Sequence, residues 1–199
     1  MIKLLVKNFI KKQAFLFTIF LVPSLLLAQT NFSASSGSFV RLSGTSTFKS
    51  WEMSASTLES SVSFKMDNNN RPIGLNSLSF SVESENLKSS STGLNNNAYK
   101  ALKTDQYPEI RFNARSAETI RNNGNKYIIE INGRLTVAGV TKRKTIEVTC
   151  EKISNNTFIC SGETMLNMTD FNVTPPSFMY GAMKTGEEVT IHYNIIYKS

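Results

Sequence analysis

From residue 38 onward the sequence alternates apolar and polar side chains with a period of two, a pattern that only a few architectures satisfy. Leu58, Ser60, Val62, Phe64 and Met66 fall on one side of an extended chain, and Ser61, Ser63 and Lys65 fall on the other. Leu78, Phe80 and Val82 alternate with Ser77, Ser79, Ser81 and Glu83, and Ile110, Phe112 and Ala114 with Arg111, Asn113 and Arg115. Leu135 and Val137 alternate with Arg134 and Thr136, and Ile146, Val148 and Cys150 with Thr145, Glu147 and Thr149. The last run puts Val189, Ile191, Tyr193, Ile195 and Tyr197 on one side. Strands with one apolar and one wet face belong to antiparallel sheets, so the chain reads as all-β.

Turn chemistry divides the pattern. Asparagine-rich punctuation occurs at residues 67–72, at Asn122-Asn123-Gly124-Asn125 and at Ser154-Asn155-Asn156, and Ala138-Gly139 joins two further runs. The Asn-Gly pair between alternating runs is the strongest hairpin signal of the set. Strands are expected near residues 38–48, 51–66, 75–84, 108–119, 125–138, 142–153, 156–168 and 186–198. Between the third and fourth, Ala98, Tyr99, Ala101 and Leu102 recur at helical spacing. They predict one short helix over Asn95–Lys103, capped by an asparagine and ended before Tyr107-Pro108. Residues 169–186, with Pro175-Pro176, read as an ordered loop. Consecutive hairpins without a βαβ crossover favour an up-and-down barrel, because closure removes exposed edges. The expected fold is an eight-stranded antiparallel up-and-down barrel with one short helix. Such an interior is either filled by side chains or holds one small molecule.

The N-terminus reads differently. Lys3, Lys7, Lys11 and Lys12 precede an apolar run from Ala14 to Ala28, and Gln29-Thr30 begin a polar chain. A basic segment, an apolar segment and a small terminal residue describe a secretory signal peptide over 1–28, leaving a single domain over 29–199. The run is short against the roughly 20 residues of a membrane span, and no transmembrane segment is expected after its removal. The formal charge of +7, less four leader lysines, leaves +3, which withdraws the support a basic chain would lend to nucleic-acid binding. Export also places Cys150 and Cys160 where disulfides persist. If the turn between them centres on Asn155, they face each other across a hairpin, and a disulfide is favoured over two buried thiols.

Catalytic chemistry has little to work with. His192 is the single histidine and falls on the wet side of its strand. Asp67, Asp105 and Asp170 all sit in turn-like contexts suited to capping, and no carboxylate pair or metal-ligand spacing occurs. Neither a metal nor a cofactor is expected. Lys142-Arg143-Lys144 reads as a solvated hairpin end, with contact to an anionic head group as its alternative use. Apolar inward positions are therefore the main functional resource, and alternation alone does not separate a packed core from a lined cavity.

Ordered motifs add a resemblance. Residues 44–51, Gly-Thr-Ser-Thr-Phe-Lys-Ser-Trp, resemble the Gly-Thr-Ser-Thr-x-His-Asp-Trp segment of the YceI-like family of exported bacterial lipocalin-like proteins. Residues 93–103, then Tyr107-Pro108-Glu109-Ile110-Arg111-Phe112, resemble its helix and the strand that follows. Residues 133–142 resemble its Gly-x-Leu-Thr-x-x-Gly-Val-Thr-Lys hairpin, and Met168-Thr169-Asp170-Phe171, Pro175-Pro176 and Lys184-Thr185-Gly186 complete the order. The resemblance spans about residues 40–198. It implies a lipocalin-like barrel, periplasmic or secreted, that binds a polyisoprenoid or other long-chain lipid in an apolar tunnel without catalysis. The expected lining is Trp51, Phe64, Phe80, Tyr99, Leu102, Phe112, Leu135, Val137, Phe171 and Phe178. Lys49-Ser50 stands where close relatives carry His-Asp, so the resemblance does not extend to head-group preference. Two other readings stay open: a secreted structural or protein-interaction module with a filled core, and a hydrolase or isomerase acting on a lipid. Monomer and homodimer are equally compatible with the sequence.

Overall fold

A computed structural model describes residues 29–178 and 183–199; the leader expected over 1–28 lies outside them. In chain order the elements are β1 (Gln29–Ala34), β2 (Phe39–Ser46), β3 (Ser50–Ala55), β4 (Glu59–Met66), β5 (Pro72–Glu83), α1 (Thr92–Leu102), β6 (Glu109–Ala114), β7 (Ala117–Asn123), β8 (Lys126–Val137), β9 (Val140–Ser154), β10 (Thr157–Asn167), β11 (Ser177–Phe178) and β12 (Met183–Lys198).

These segments build eight staves. β1 and β2 form one stave interrupted at residues 35–38, β3 and β4 a second, and β6 and β7 a third; β5, β8, β9, β10 and β12 are single. Each stave pairs antiparallel with the next, and β12 returns to pair with β1 and β2, closing an up-and-down barrel. The interruption in the first stave is tied to β12 by serine hydroxyls. Ser35 Oγ donates to the Ile196 carbonyl at 3.1 Å, and Ser38 Oγ accepts from the Ile196 N–H at 3.0 Å. The first stave thus begins at Gln29, nine residues before the point where alternation becomes legible, because the serines blur the pattern. The last begins at Met183 rather than at 186, and β11 pairs with its start, so the expected loop is partly strand.

The inward parity predicted from alternation is the buried one. On β8, Tyr127, Ile129, Ile131, Leu135 and Val137 are buried, while Lys126 and Arg134 are exposed. Asp67 caps the β4–β5 turn by accepting from the Asn69 and Arg71 N–H groups, both at 2.9 Å, and the Arg71 guanidinium bonded to it holds its carboxyl below the usual range. Ala138 and Gly139 both take positive φ, at 47° and 78°, the geometry of a two-residue hairpin turn matched to strand twist.

The hairpin carrying the cysteines contains a bulge. Ser154 opposes Thr157 at the tip, but Phe158 opposes Lys152, so one residue of β9, Ile153, is left over. That slip aligns Cys150 directly with Cys160, and the two form a disulfide with Cα atoms 3.9 Å apart. Helix α1 is capped by Ser91, whose Oγ accepts from Leu94 N at 3.3 Å, rather than by an asparagine. Asn95 is engaged elsewhere, its Oδ1 accepting from Ser89 N at 2.8 Å. Lys103 ends the helix in the left-handed region. No described helix is long and apolar enough to cross a membrane.

Candidate functional site

The barrel has two unlike ends. At the end carrying the 67–71, 124–125 and 155–156 turns, the interior is closed by aromatic rings. Phe32, Phe64 and Phe158 pack with ring centroids 5.2 to 6.0 Å apart, and Tyr127 lies 6.5 Å from Phe158. All four are almost fully buried. Tyr197 completes this floor. Its hydroxyl lies 2.6 Å from Ser60 Oγ, which donates onward to Ser79 O at 2.8 Å. The proton order is therefore fixed, Tyr197 donating to Ser60. Burial pushes the Tyr197 phenol up to about 12.

Toward the other end the staves surround an open cavity of about 220 Å³. A single water needs about 10–15 Å³ of such space, so this is no packing defect. Its wall is apolar apart from Lys144, Thr164, Asn167, Thr185 and the polar tips of three aromatic residues. Of the expected lining residues, Trp51, Phe64, Phe80, Leu102, Phe112, Leu135, Val137 and Phe171 all stand on this wall. Glycines make room for two of the rings. A Cβ at Gly133 would overlap the Phe112 ring, and one at Gly44 would overlap the Trp51 indole, whose Nε1 donates to Thr45 O at 3.1 Å.

Tyr99 is not on the wall. Leu94, Ala98, Ala101 and Leu102 occupy the helix stripe that faces the cavity, and Tyr99, half-buried, packs against the core beside that stripe. Its hydroxyl reaches the Glu85 and Leu87 carbonyls at 3.0 and 2.9 Å, tying α1 to the segment before it; burial, with Glu85 adding, raises its phenol. The side chain of Phe178 lies outside the described residues. The wall also takes Met53, Leu87, Ile129, Ile131, Val173 and Ile191, which were not expected. Ile129, Ile131 and Ile191 follow the same alternation as their neighbours and could have been found by extending it. Leu87 and Val173 sit in connections, where no periodicity marks them.

The wall is not uniformly paired. Between β3 and β6 the segment carrying α1 fills the space, joined to β3 by reciprocal bonds between Ser54 and Lys88, each 2.9 Å. Between β9 and β10 the ladder stops at Thr149 opposite Ser161. Beyond it, β9 stays paired with β8 as far as Val140, and β10 with β12 as far as Asn167, but no ladder joins β9 to β10. Side chains bridge this seam. Tyr193 Oη donates to the Glu147 carbonyl at 2.9 Å, Lys144 Nζ donates to the Met165 carbonyl at 2.8 Å, and Lys142 Nζ lies 3.8 Å from Asp170 Oδ1. Tyr193 crosses over Gly162, where a Cβ would come within 2.6 Å of its hydroxyl and 2.7 Å of Glu147 O. Burial, with Glu147 and Glu163 adding, drives the Tyr193 phenol far above its ordinary value, so it remains a donor. Lys144 is half-buried, and the bond from its Nζ to Met165 O is open to solvent, as a hairpin-end lysine would be; it also shares the inward parity of Ile146 and Val148 and stands on the cavity wall.

His192 lies on the outer face, with Nδ1 3.2 Å from Glu163 Oε2. No group of three or more His, Cys, Asp or Glu side chains placed to hold a metal occurs among the described residues.

Comparison with known proteins places this geometry. The YceI-like domain family model matches residues 26–197. A polyisoprenoid-binding domain from Saccharophagus degradans, implicated in plant cell wall breakdown, superposes with a TM-score of 0.65 at 9% identity, covering 86% of this chain and 99% of that one. BcnA from Burkholderia cenocepacia gives 0.61 at 19% identity, with coverage of 80% and 95%. The Campylobacter jejuni YCEI protein gives 0.53 at 13% identity, with coverage of 70% and 81%. No curated protein matches the chain. At these identities the solved structures speak for the shared barrel.

Proposed function

Because this chain belongs to the YceI-like family, we propose that it is a lipid-binding protein that holds a long isoprenoid or similar chain in its barrel and performs no catalysis. The observation that carries the reading is the cavity: about 220 Å³ of space within the barrel, lined almost wholly by aliphatic and aromatic side chains and closed below by a ring cluster. Trp51, Phe64, Phe80, Leu102, Phe112, Leu135, Val137 and Phe171 are the proposed contacts. A linear aliphatic chain gains about 0.8 kcal/mol for each CH₂ it buries, so binding needs no polar anchor to be tight. The polyisoprenoid-binding name of the Saccharophagus degradans neighbour supports the same ligand class.

The leader pattern over 1–28 supports export, with a single barrel domain over 29–199 working in the periplasm or outside the cell. An exported carrier that shields an insoluble chain from water fits both features.

The test uses the protein purified from its exported fraction. Native mass spectrometry followed by organic extraction is expected to recover a long-chain lipid. Titration of the delipidated protein with geranylgeraniol is expected to shift the emission of Trp51, the single tryptophan. A protein that is always empty, with emission unmoved by prenyl or fatty chains, would overturn the reading in favour of a secreted interaction module.

A further inference from the structure

We infer that the seam between β9 and β10 is a head-group site, and that Lys144 selects amphiphiles whose head is an anion, a carboxylate or a phosphate ester, over neutral alcohols of the same chain. The inference rests on the lipid reading of the cavity and specifies the polar end of its ligand.

Lys144 is the one charged side chain on the cavity wall among the described residues. Its ammonium has no carboxylate within ion-pair distance among them; its described hydrogen bond goes to the Met165 carbonyl, which uses one of three N–H donors. The charges along the seam are paired. Lys142 lies beside Asp170, Glu147 beside Arg121 at 2.9 Å, and Glu163 beside His192 at 3.2 Å. Among the described residues, Lys144 is the charge on the cavity wall without an ionic partner, half-buried at the mouth with its hydrogen bond open to solvent. Such a charge is costly to cover with hydrocarbon and favourable to cover with an anion.

The placement of polar groups fits an amphiphile lying along β9. Positions of one parity run Lys142, Lys144, Ile146, Val148, Cys150, grading from an exposed lysine at the hairpin end, through Lys144 on the wall, to apolar residues toward the floor. Thr164, across the seam, also lines the cavity, and its hydroxyl makes no hydrogen bond to the described residues. Strand edges beyond Thr149 and Ser161 carry no ladder to each other, so backbone groups there face the same opening. An anion at the seam would meet an ammonium and a hydroxyl while its chain descended past Ile146 and Val148.

Two ligand pairs with matched chains test this on the delipidated protein: geranylgeranyl phosphate against geranylgeraniol, and palmitate against hexadecanol. Affinities are read from Trp51 emission or calorimetry for the wild type, Lys144→Met, Lys144→Arg and Arg143→Met. The last removes a neighbouring charge from the opposite, outer face of the same strand. The wild type and Arg143→Met are expected to favour the anion of each pair by about tenfold, the scale of one charge-assisted hydrogen bond. Lys144→Met is expected to lose that preference while holding the alcohols as before, and Lys144→Arg to keep it. A preference confined to the phosphate pair supports the site and narrows the head to phosphate. Equal binding within both pairs, or a preference that survives Lys144→Met, overturns the inference and leaves the lipid reading intact. Failure of all four ligands to bind overturns both.

Discussion

The lumen owes its chemistry to a few residues held in one protonation state. Tyr193 and Tyr197 both face inward on β12, and each must donate its proton, to Glu147 O and to Ser60 Oγ. An exposed tyrosine ionises near pH 10, whereas Tyr197 is pushed up to about 12 and Tyr193 higher still, both by burial first. The sign follows from which state holds the proton. Below pH 10 both folded and unfolded chains keep it, and the contribution is fully present. Between pH 10 and about 12 the unfolded chain releases protons that the folded barrel retains, so stability falls as pH rises. Each such tyrosine contributes a slope of up to about 1.4 kcal/mol per pH unit. The expected outcome is a melting temperature that declines steeply above pH 10, less steeply in Tyr197→Phe, with the phenolate absorbance of the two β12 tyrosines appearing at unfolding rather than before it. Phenolate absorbance in the still-folded protein at pH 10.5 from the two β12 tyrosines would contradict this.

At the level of elements, the β9–β10 hairpin decides how far the seam runs. Its disulfide joins Cys150 to Cys160 one pair below the last ladder pair, so it fastens the two strands where they would otherwise begin to part. Replacing both cysteines by serine is expected to lower stability by about 2–3 kcal/mol, as suits a short closed loop. It is also expected to speed amide exchange over 149–161 while β8 and β12 keep their protection. Uniformly faster exchange across the barrel would instead mean that the bridge acts only through global stability. The hairpin also shows what was legible in advance. Its cysteines and its Ser-Asn-Asn turn were visible, and a turn centred on Asn155 predicts the observed Cys150–Cys160 alignment. The route to that alignment was not visible, because a one-residue bulge at Ile153 depends on how the tip packs rather than on residue type. Parity placed Phe64, Phe112, Leu135 and Val137 on the inner face, and only the family resemblance made that face a cavity wall, since alternation reads the same for a packed core and a lined lumen. Tyr99 was misplaced because helical spacing identifies a face but not which residue leaves it to hydrogen-bond a neighbouring carbonyl. For Lys144 the solvent-open hairpin end was legible but the place on the wall was not: its parity pointed inward, but a lysine near a hairpin end is ordinarily solvated.

For the molecule as a whole, the division between a solid floor and a hollow upper half sets what length of chain fits. The floor rings Phe32, Phe64 and Phe158 are almost fully buried and mutually packed, so they cannot yield to a chain pressing from above without losing their own contacts. Phe64 belongs to both regions, standing on the cavity wall and in the ring cluster. It is therefore the residue at which cavity depth can be changed without touching the seam. Phe64→Ala removes a buried ring and is expected to cost about 3–5 kcal/mol of stability. The same substitution deepens the lumen, so the ranking of prenyl alcohols by affinity should move toward longer chains relative to the wild type. Competition among geraniol, farnesol and geranylgeraniol, analysed by extraction from the two proteins at equal loading, measures that ranking. An unchanged ranking in a folded Phe64→Ala protein would mean that the bound chain stops short of the floor and that length is set at the seam end. A shift toward longer chains would make the aromatic floor the ruler, with head-group choice at one end of the barrel and chain length at the other.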